Sequence, residues 1–331
     1  MKKYIKSLSI AITAVVLSGC AAATANVPDD SPWSTSTLHI DFATYNPLSL
    51  VVREQGLIEA VLGDYVNVEW IQSAGSNRAN ELLRAGALDF GSTAGSAALL
   101  ARANGAPTHV VYVFSQPEWT ALVTSPESGI NSIADLAGRS VAATRGTDPY
   151  FFLLQALQSA GVDYSDVEVV ALQHADGRTA LNTGSVHAWV GLDPIMGAAQ
   201  YETNNILFYR NIDFSTFGVL NATESFLNNH PDVAQVVIDA YEQARLWAMD
   251  NLDEVAELLA YVAAIDIAVA NTVINQRTNF INPIPGATQT PVLERVGQIF
   301  VQSGDVASQQ AVDNALDTLF IPQFAERSVN N

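Results

Sequence analysis

The chain is short of positive charge. Its 331 residues hold 15 Lys plus Arg against 34 Asp plus Glu, a formal net charge of −19. All three lysines, Lys2, Lys3 and Lys6, fall in the first six residues, and the other 12 basic residues are arginines. No acid precedes Asp29, so a chain beginning at Cys20 would carry −22. A nucleic-acid binder needs a basic face to displace counterions from phosphates, and that body has none to spare. A polybasic membrane-surface protein is excluded for the same reason. Without lysine after residue 6 there is no Schiff-base chemistry. The single cysteine, Cys20, cannot close an internal disulfide. The five histidines, His39, His109, His174, His187 and His230, are scattered, with no His-Glu-x-x-His or Cys-x-x-Cys spacing to hold a metal. There is no Gly-x-Ser-x-Gly nucleophile elbow and no phosphate loop. The long apolar run of a membrane span is also missing: Leu8–Leu17 covers ten residues, where a bilayer needs roughly 20.

What the N-terminus does have is an address. Three lysines followed by a short apolar stretch form a signal-peptide pattern over residues 1–19. It ends in Leu17-Ser18-Gly19-Cys20, which resembles the lipobox of bacterial lipoproteins. The resemblance implies cleavage before Cys20 and lipidation of its sulfur, which also accounts for an unpaired thiol in an exported chain. An ordinary signal peptide with an incidental cysteine is the alternative. Residues 20–36, rich in Ala, Ser, Thr and Pro, read as the lipidated cysteine and a flexible tether. The body is then a soluble module held at the outer face of a membrane.

Hydrophobic residues make up 49% of the chain, enough for sizeable cores despite the charge. From Leu38 onward short apolar runs alternate with helical patterns. Strands are expected at Leu38–Ala43, Val66–Ile71, Leu88–Gly91, His109–Phe114, Ala121–Thr124, Ser140–Ala143, Val167–Ala171 and Ala188–Gly191. Between them lie expected helices at Asn77–Gly86, Ser96–Ala103 and Pro149–Ala160, the last opened by proline and stopped by Gly161. Such alternation means α/β layers with largely parallel sheets. After about residue 222 the pattern turns helical: Pro231–Asp250, with Val233, Val237, Ala240, Ala244 and Trp247 on one stripe, then Asp253–Val262, Ile265–Gln276 and Thr290–Phe300.

Small hydroxyl residues and glycines recur where a strand should end and a helix begin: Ser73-Ala74-Gly75-Ser76-Asn77, Gly91-Ser92-Thr93-Ala94-Gly95-Ser96, and Arg145-Gly146-Thr147-Asp148. Free N–H groups and the positive end of a helix dipole meet at such turns and hold an anion without a counter-charge. Each is equally an ordinary helix cap, where the same residues are common.

Four stretches together resemble the extracytoplasmic solute-binding proteins of aliphatic sulfonate, taurine and nitrate ABC importers, the sulfonate branch most. They are Gly86–Gly95 with Gly105-Ala106-Pro107; Ile133–Gly138 with Val141 and Arg145-Gly146-Thr147; Ala175–Leu181; and Val186–Pro194. The resemblance covers about residues 38 to 325. It implies a two-lobe, type II periplasmic-binding-protein-like α/β fold with two hinge crossings. Lobe one would be 37–121 plus 215–331, with the helical C-terminal tail packed on it, and lobe two 122–214. It further implies a monomer in the periplasm or at the outer face of the cell membrane. That monomer would capture a small sulfonate-like anion between the lobes and deliver it to a permease and its ATPase, without catalysis, cofactor or metal. Taurine, nitrate or a pyrimidine-type vitamin precursor remain alternative ligands, and an enzyme or sensor on the same fold is a further alternative.

By position, the resemblance assigns ligand contacts to Ser92 and Thr93, to Gly146, Thr147 and Asp148, to Asp193, and to Tyr45 and Asn46. Gln116 and Trp119 lie near the first crossing, where they would touch a ligand tail; a packed hinge aromatic is the alternative for Trp119. Tyr150 faces either cleft or core, Trp189 belongs in the core, and Arg178 suits a surface salt bridge. Two departures stand out. His187 replaces an expected Asp at a position read as peripheral. Thr147-Asp148-Pro149-Tyr150 replaces a run of Ser and His. A carboxylate at 148 competes with a bound anion for the same N–H groups, so either it turns away, or the ligand also carries a cation, or the ligand is not a simple sulfonate.

Overall fold

The computed structural model describes residues 31–330; the basic segment, the apolar run and Cys20 lie outside the described residues. The chain begins with β1 (Thr37–Phe42), α1 (Pro47–Glu54), α2 (Leu57–Leu62), β2 (Asn67–Gln72), α3 (Ser76–Arg84), β3 (Phe90–Ala94), α4 (Gly95–Ala103) and β4 (Thr108–Ser115). It then crosses to a second sheet through β5 (Thr120–Thr124), β6 (Ser140–Ala143), α5 (Asp148–Ala160), β7 (Glu168–Ala171), α6 (His174–Asn182), β8 (Ala188–Leu192), α7 (Ile195–Thr203) and β9 (Ile206–Arg210). It returns as β10 (Gly218–Thr223) and finishes with α8 (Glu224–Asn229), α9 (Pro231–Asp250), α10 (Leu252–Ala263), α11 (Ile267–Thr272), α12 (Thr290–Ser303), α13 (Gln309–Leu319) and α14 (Gln323–Asn330).

The two five-stranded sheets have matching layouts, β2-β1-β3-β10-β4 and β7-β6-β8-β5-β9. In each, three strands run parallel: β2, β1 and β3 in the first, β7, β6 and β8 in the second. The strand that enters from the other sheet, β10 or β5, lies antiparallel to both of its neighbours. The expectation of largely parallel sheets is therefore corrected to mixed ones. The parallel strands run toward the gap between the sheets, so a chain arriving across that gap must run away from it. β9 and β10 also lie outside the stretches marked as strands from sequence. β10 reads Gly-Val-Leu-Asn-Ala-Thr, with too few large or branched residues to announce a central strand, although all but its last residue are buried.

The helices start and stop where their residues require. α5 has Pro149 in its first turn and ends at Gly161, whose φ of 68° is left-handed. α9 opens on Pro231 and buries Val233, Val237, Ala240 and Ala244 along one face. The tail packs mainly on the first sheet and its helices: α9, α10 and α14 share one apolar core with β1 and α1. It also reaches the second sheet's helices, because Phe300 of α12 meets Phe151 of α5 edge to face at 4.5 Å. That contact joins α4, α5, α12 and α13 into one core on the side away from the cleft.

Truncating Phe300 should therefore loosen both halves of the molecule at once. Phe300→Ala is expected to lower unfolding free energy by about 3–5 kcal/mol in urea titration, the cost of a deeply buried aromatic. A loss under about 1 kcal/mol would mean that α12 does not bridge the two halves.

Candidate functional site

The loops that leave the carboxyl ends of the parallel strands face each other across the gap, where open α/β sheets collect ligands. Thr44 after β1, and Ser73 and Asn77 around the end of β2, come from the first sheet. His174 and Arg178 of α6 and Pro194 after β8 come from the second. Between them is a cleft of about 960 Å3, closed at one end by Val262–Ile265 of the tail.

Deeper between the sheets the space is filled by a protein carboxylate. Asp148, at the start of α5, is buried. Its Oδ1 accepts from Ser96 Oγ of α4 at 2.8 Å and from Thr216 Oγ1. Its Oδ2 accepts from Trp119 Nε1 at 2.9 Å and from the Thr216 amide at 3.3 Å. Every one of these donors lies outside the 140–210 segment that carries Asp148, and none is a cation. Burial raises the Asp148 pKa, opposed by these hydrogen bonds. Of the three outcomes left open for this residue, the first holds: Asp148 turns toward α4 and the two crossings rather than into the open cleft.

A second buried acid ties the tail to the second sheet. Asp193 follows β8, and Arg277 ends a π-helical turn, Val273–Arg277. Arg277 Nη1 lies 3.1 and 3.0 Å from the two Asp193 oxygens, with the side chains 5% and 3% exposed. Arg277 also donates to Gln200 Oε1 at 2.8 Å, and the Gly197 amide donates to Asp193 Oδ1 at 2.8 Å. Burial raises the Asp193 pKa more than Arg277 lowers it. Beyond Arg277 the chain runs beside the first crossing: the Glu118 and Gln116 amides donate to the Arg277 and Asn279 carbonyls at 2.7 and 2.9 Å.

Of the other residues assigned from sequence, Tyr45, Asn46, Ser92 and Thr93 have their polar atoms bonded within the protein. Tyr45 Oη donates to the Ser92 carbonyl at 2.8 Å, and its ring meets Trp119 edge to face. Asn46 Nδ2 donates to Ser92 Oγ at 2.8 Å, while its Oδ1 caps α1 by accepting from the Ser49 amide. The Ser92 amide and hydroxyl both donate to Asp41 Oδ1, at 2.9 and 2.8 Å. Thr93 Oγ1 accepts from Asn221 Nδ2 of β10 at 2.7 Å. Thr147 Oγ1 donates to the Thr144 carbonyl at 2.6 Å, and Gly146, with φ 74°, supplies the left-handed turn before it. Tyr150 is buried against Phe151 rather than in the cleft. Gln116 borders a separate surface depression beside Phe214 and Arg295. Trp189 is in the core, and Arg178 pairs with Glu202 at the cleft wall.

Ser96, Thr216, Arg277, Asn77 and His174 were not assigned from sequence. Ser96 and Asn77 close two of the Gly-Ser-Thr turns and were within reach of that reasoning. Thr216 and Arg277 have no local signal, because only the second crossing and the tail bring them to the site.

The chain matches a family model described as NMT1/THI5 like over residues 65–255, more than half its length. The chain belongs to the NMT1/THI5-like family. It is 26% identical over 243 residues, 72% of this chain and 73% of the relative, to an Escherichia coli (strain K12) protein named for binding aliphatic sulfonates. It is 24% identical over 282 residues, 84% of each chain, to a Bacillus subtilis (strain 168) protein of the same name. Its fold matches the alkanesulfonate-binding protein SsuA from Xanthomonas axonopodis pv. citri, solved bound to MOPS. The TM-score there is 0.76 at 21% identity, over 85% of this chain and 97% of that one. The same fold occurs in a desulfurization enzyme, DSZB, at TM-score 0.66, 18% identity and 89% and 99% coverage, so fold alone does not separate binding from catalysis. Among the described residues no group of three or more His, Cys, Asp or Glu is placed to hold a metal ion, and no helix is long and apolar enough to cross a membrane.

Asp41, under the Ser92 turn, gives the network a pH signature. Burial raises its pKa to about 6, above the roughly 3.9 of an unfolded chain. The folded state therefore holds this proton more tightly, and the stability it adds is full below about pH 4 and is lost as pH rises through about 6. Comparing urea unfolding of wild type with Asp41→Asn at several pH values should show wild type losing on the order of 2–3 kcal/mol relative to the variant across that window. Parallel profiles would mean that Asp41 is not buried as described.

Proposed function

We propose that the chain is the extracytoplasmic substrate-binding component of an ABC importer. It captures a small organosulfonate-like anion between two α/β lobes, residues 37–121 with 215–331 and residues 122–214, and delivers it to a membrane permease. The observation that carries this reading is the cleft of about 960 Å3 at the facing strand ends of two matching sheets. Its likeness to two relatives named for binding aliphatic sulfonates and to a fold solved with MOPS supports the ligand class.

The chemistry of the wall is compatible with an anion. α3 and α6 both begin at the cleft, so their first amide groups and positive dipole ends are near it. Arg78 and Arg178 add the only formal positive charges on that wall. A body of −22 repels an anion at long range, but salt screens this beyond about 8–10 Å, so recognition falls to these local groups. The buried carboxylates Asp148 and Asp193 are occupied by internal donors, and Asp41 accepts through Oδ1 while its Oδ2 has no partner. Lipidation at Cys20 after removal of residues 1–19 would hold a monomeric module at the outer face of the cell membrane or in the periplasm. The basic start, short apolar run and Leu-Ser-Gly-Cys sequence support that anchor.

Thermal unfolding with methane-, ethane- and butanesulfonate, MOPS, taurine, nitrate and an aminopyrimidine tests the ligand class. A true ligand at about 100 Kd should stabilise by roughly 2.7 kcal/mol and raise Tm measurably. No rise with any sulfonate sinks the ligand assignment. For the anchor, Cys20→Ala should release the protein from the membrane fraction of its native host, where wild type sediments. Equal sedimentation of the two would show that another attachment is at work.

A further inference from the structure

The cleft wall holds polar atoms that nothing in the protein satisfies. His174, the first residue of α6, is 2% exposed and lines the cleft. Its Nδ1 lies 3.1 Å from Thr144 Oγ1. That hydroxyl spends its one proton on the Leu172 carbonyl at 2.8 Å, so it can only accept from the ring. The imidazole proton therefore sits on Nδ1, and Nε2 carries a bare lone pair. Nε2 has no hydrogen-bond partner. Burial lowers the ring's pKa to about 4, which keeps it neutral and Nε2 an acceptor at pH 7.

A second unpartnered acceptor faces the same point from the opposite sheet. Asn77 Oδ1 of α3 is buried without a partner. A Cβ placed on Gly75 would lie 3.0 Å from His174 Nε2 and 2.9 Å from Asn77 Oδ1. Gly75 has an extended backbone, φ 162°, which any residue adopts, so glycine serves here to leave space and not to permit a turn. The two acceptors thus close on the Cα of Gly75, where any side chain would crowd both. A buried acceptor left unmatched is costly, and a donor arriving from a ligand removes that cost.

Charge along the wall favours the same kind of ligand. Arg78 is paired with Glu81 at 2.9 Å, and Arg178 with Glu202, so each cation on the wall already has a carboxylate beside it. Such a balanced wall suits a molecule with a donor group as well as an anionic one. We propose that His174 Nε2 and Asn77 Oδ1 form a donor-recognising subsite, so that the preferred ligand is a sulfonate bearing an amino or hydroxyl group a few atoms from its anionic end. This rests on the sulfonate-binding reading and narrows it. It gives His174 the part of choosing among sulfonates, since a site built to accept from N–H or O–H discriminates against an analogue lacking it.

Calorimetry with matched pairs decides it: ethane- and propanesulfonate, each with and without a terminal amino or hydroxyl group. Wild type should bind the donor-bearing member of at least one pair ~10-fold more tightly. His174→Phe, which keeps a ring but no acceptor, should erase that preference. His174→Gln, which restores an acceptor oxygen, should recover part of it. If His174→Phe does not fold, Gly75→Ala, which presses a methyl against both acceptors, takes its place with the same expectation. As a separate readout, the 15N signal of His174 Nε2 should show a bare acceptor in the free protein and move on adding the donor-bearing ligand. Equal affinities within every pair, or a preference untouched by the variants, overturns the subsite and leaves sulfonate binding standing. Binding of none of these sulfonates overturns sulfonate binding itself, and the subsite with it.

Discussion

One buried carboxylate holds the arrangement together. Asp148 stands at the first turn of α5, and everything that solvates it comes from elsewhere: Ser96 from α4, Trp119 from the first crossing and Thr216 from the second. An ionised carboxylate out of water costs several kcal/mol unless its oxygens are matched, and these are matched with four donors. The two crossings and α4 are therefore held to α5 by a single charge. Asp193 does the equivalent for the tail, through Arg277.

This use of Asp148 shapes what the cleft can offer. Hydroxyls, an indole N–H and an amide near helix starts are the groups that hold an anion without a counter-charge. Here a large share of them is spent on the protein's own carboxylate. In the proposed function, recognition of a ligand falls to the wall between α3 and α6, where Arg78 and Arg178 are already paired and two acceptors lack partners. The missing lysine matters at this point. A chain with only 12 arginines against 34 acids has few positive charges to devote to a site, and half of those arginines are ion-paired among the described residues.

Much of the scaffold was legible from residue patterns. Among the described residues, eight of the ten strands overlap stretches expected from sequence, and α5 and α9 start at prolines because proline's fixed φ and missing N–H suit a first turn. β9 and β10 escaped, and with them the mixed character of both sheets. Strand direction depends on which side of the gap the chain arrives from, and no local pattern records that. The site was legible in outline. The Gly-Ser-Thr turns do face the gap, but Tyr45, Asn46, Ser92 and Thr93 have their polar atoms bonded to one another, to Asp41 and to β10.

Composition and the order of motifs by themselves determined the class of this protein: an acidic, two-sheet α/β chain. Those properties depend on residue type and local spacing, which a sequence states directly. Which of the hydroxyls in these turns are bonded within the fold was decided by tertiary structure alone. The donors around Asp148 lie 29 to 68 residues from it, and Arg277 reaches Asp193 across 84. Whether a hydroxyl is free or already bonded depends on what the crossings bring within 3 Å, and that is a property of the packed chain.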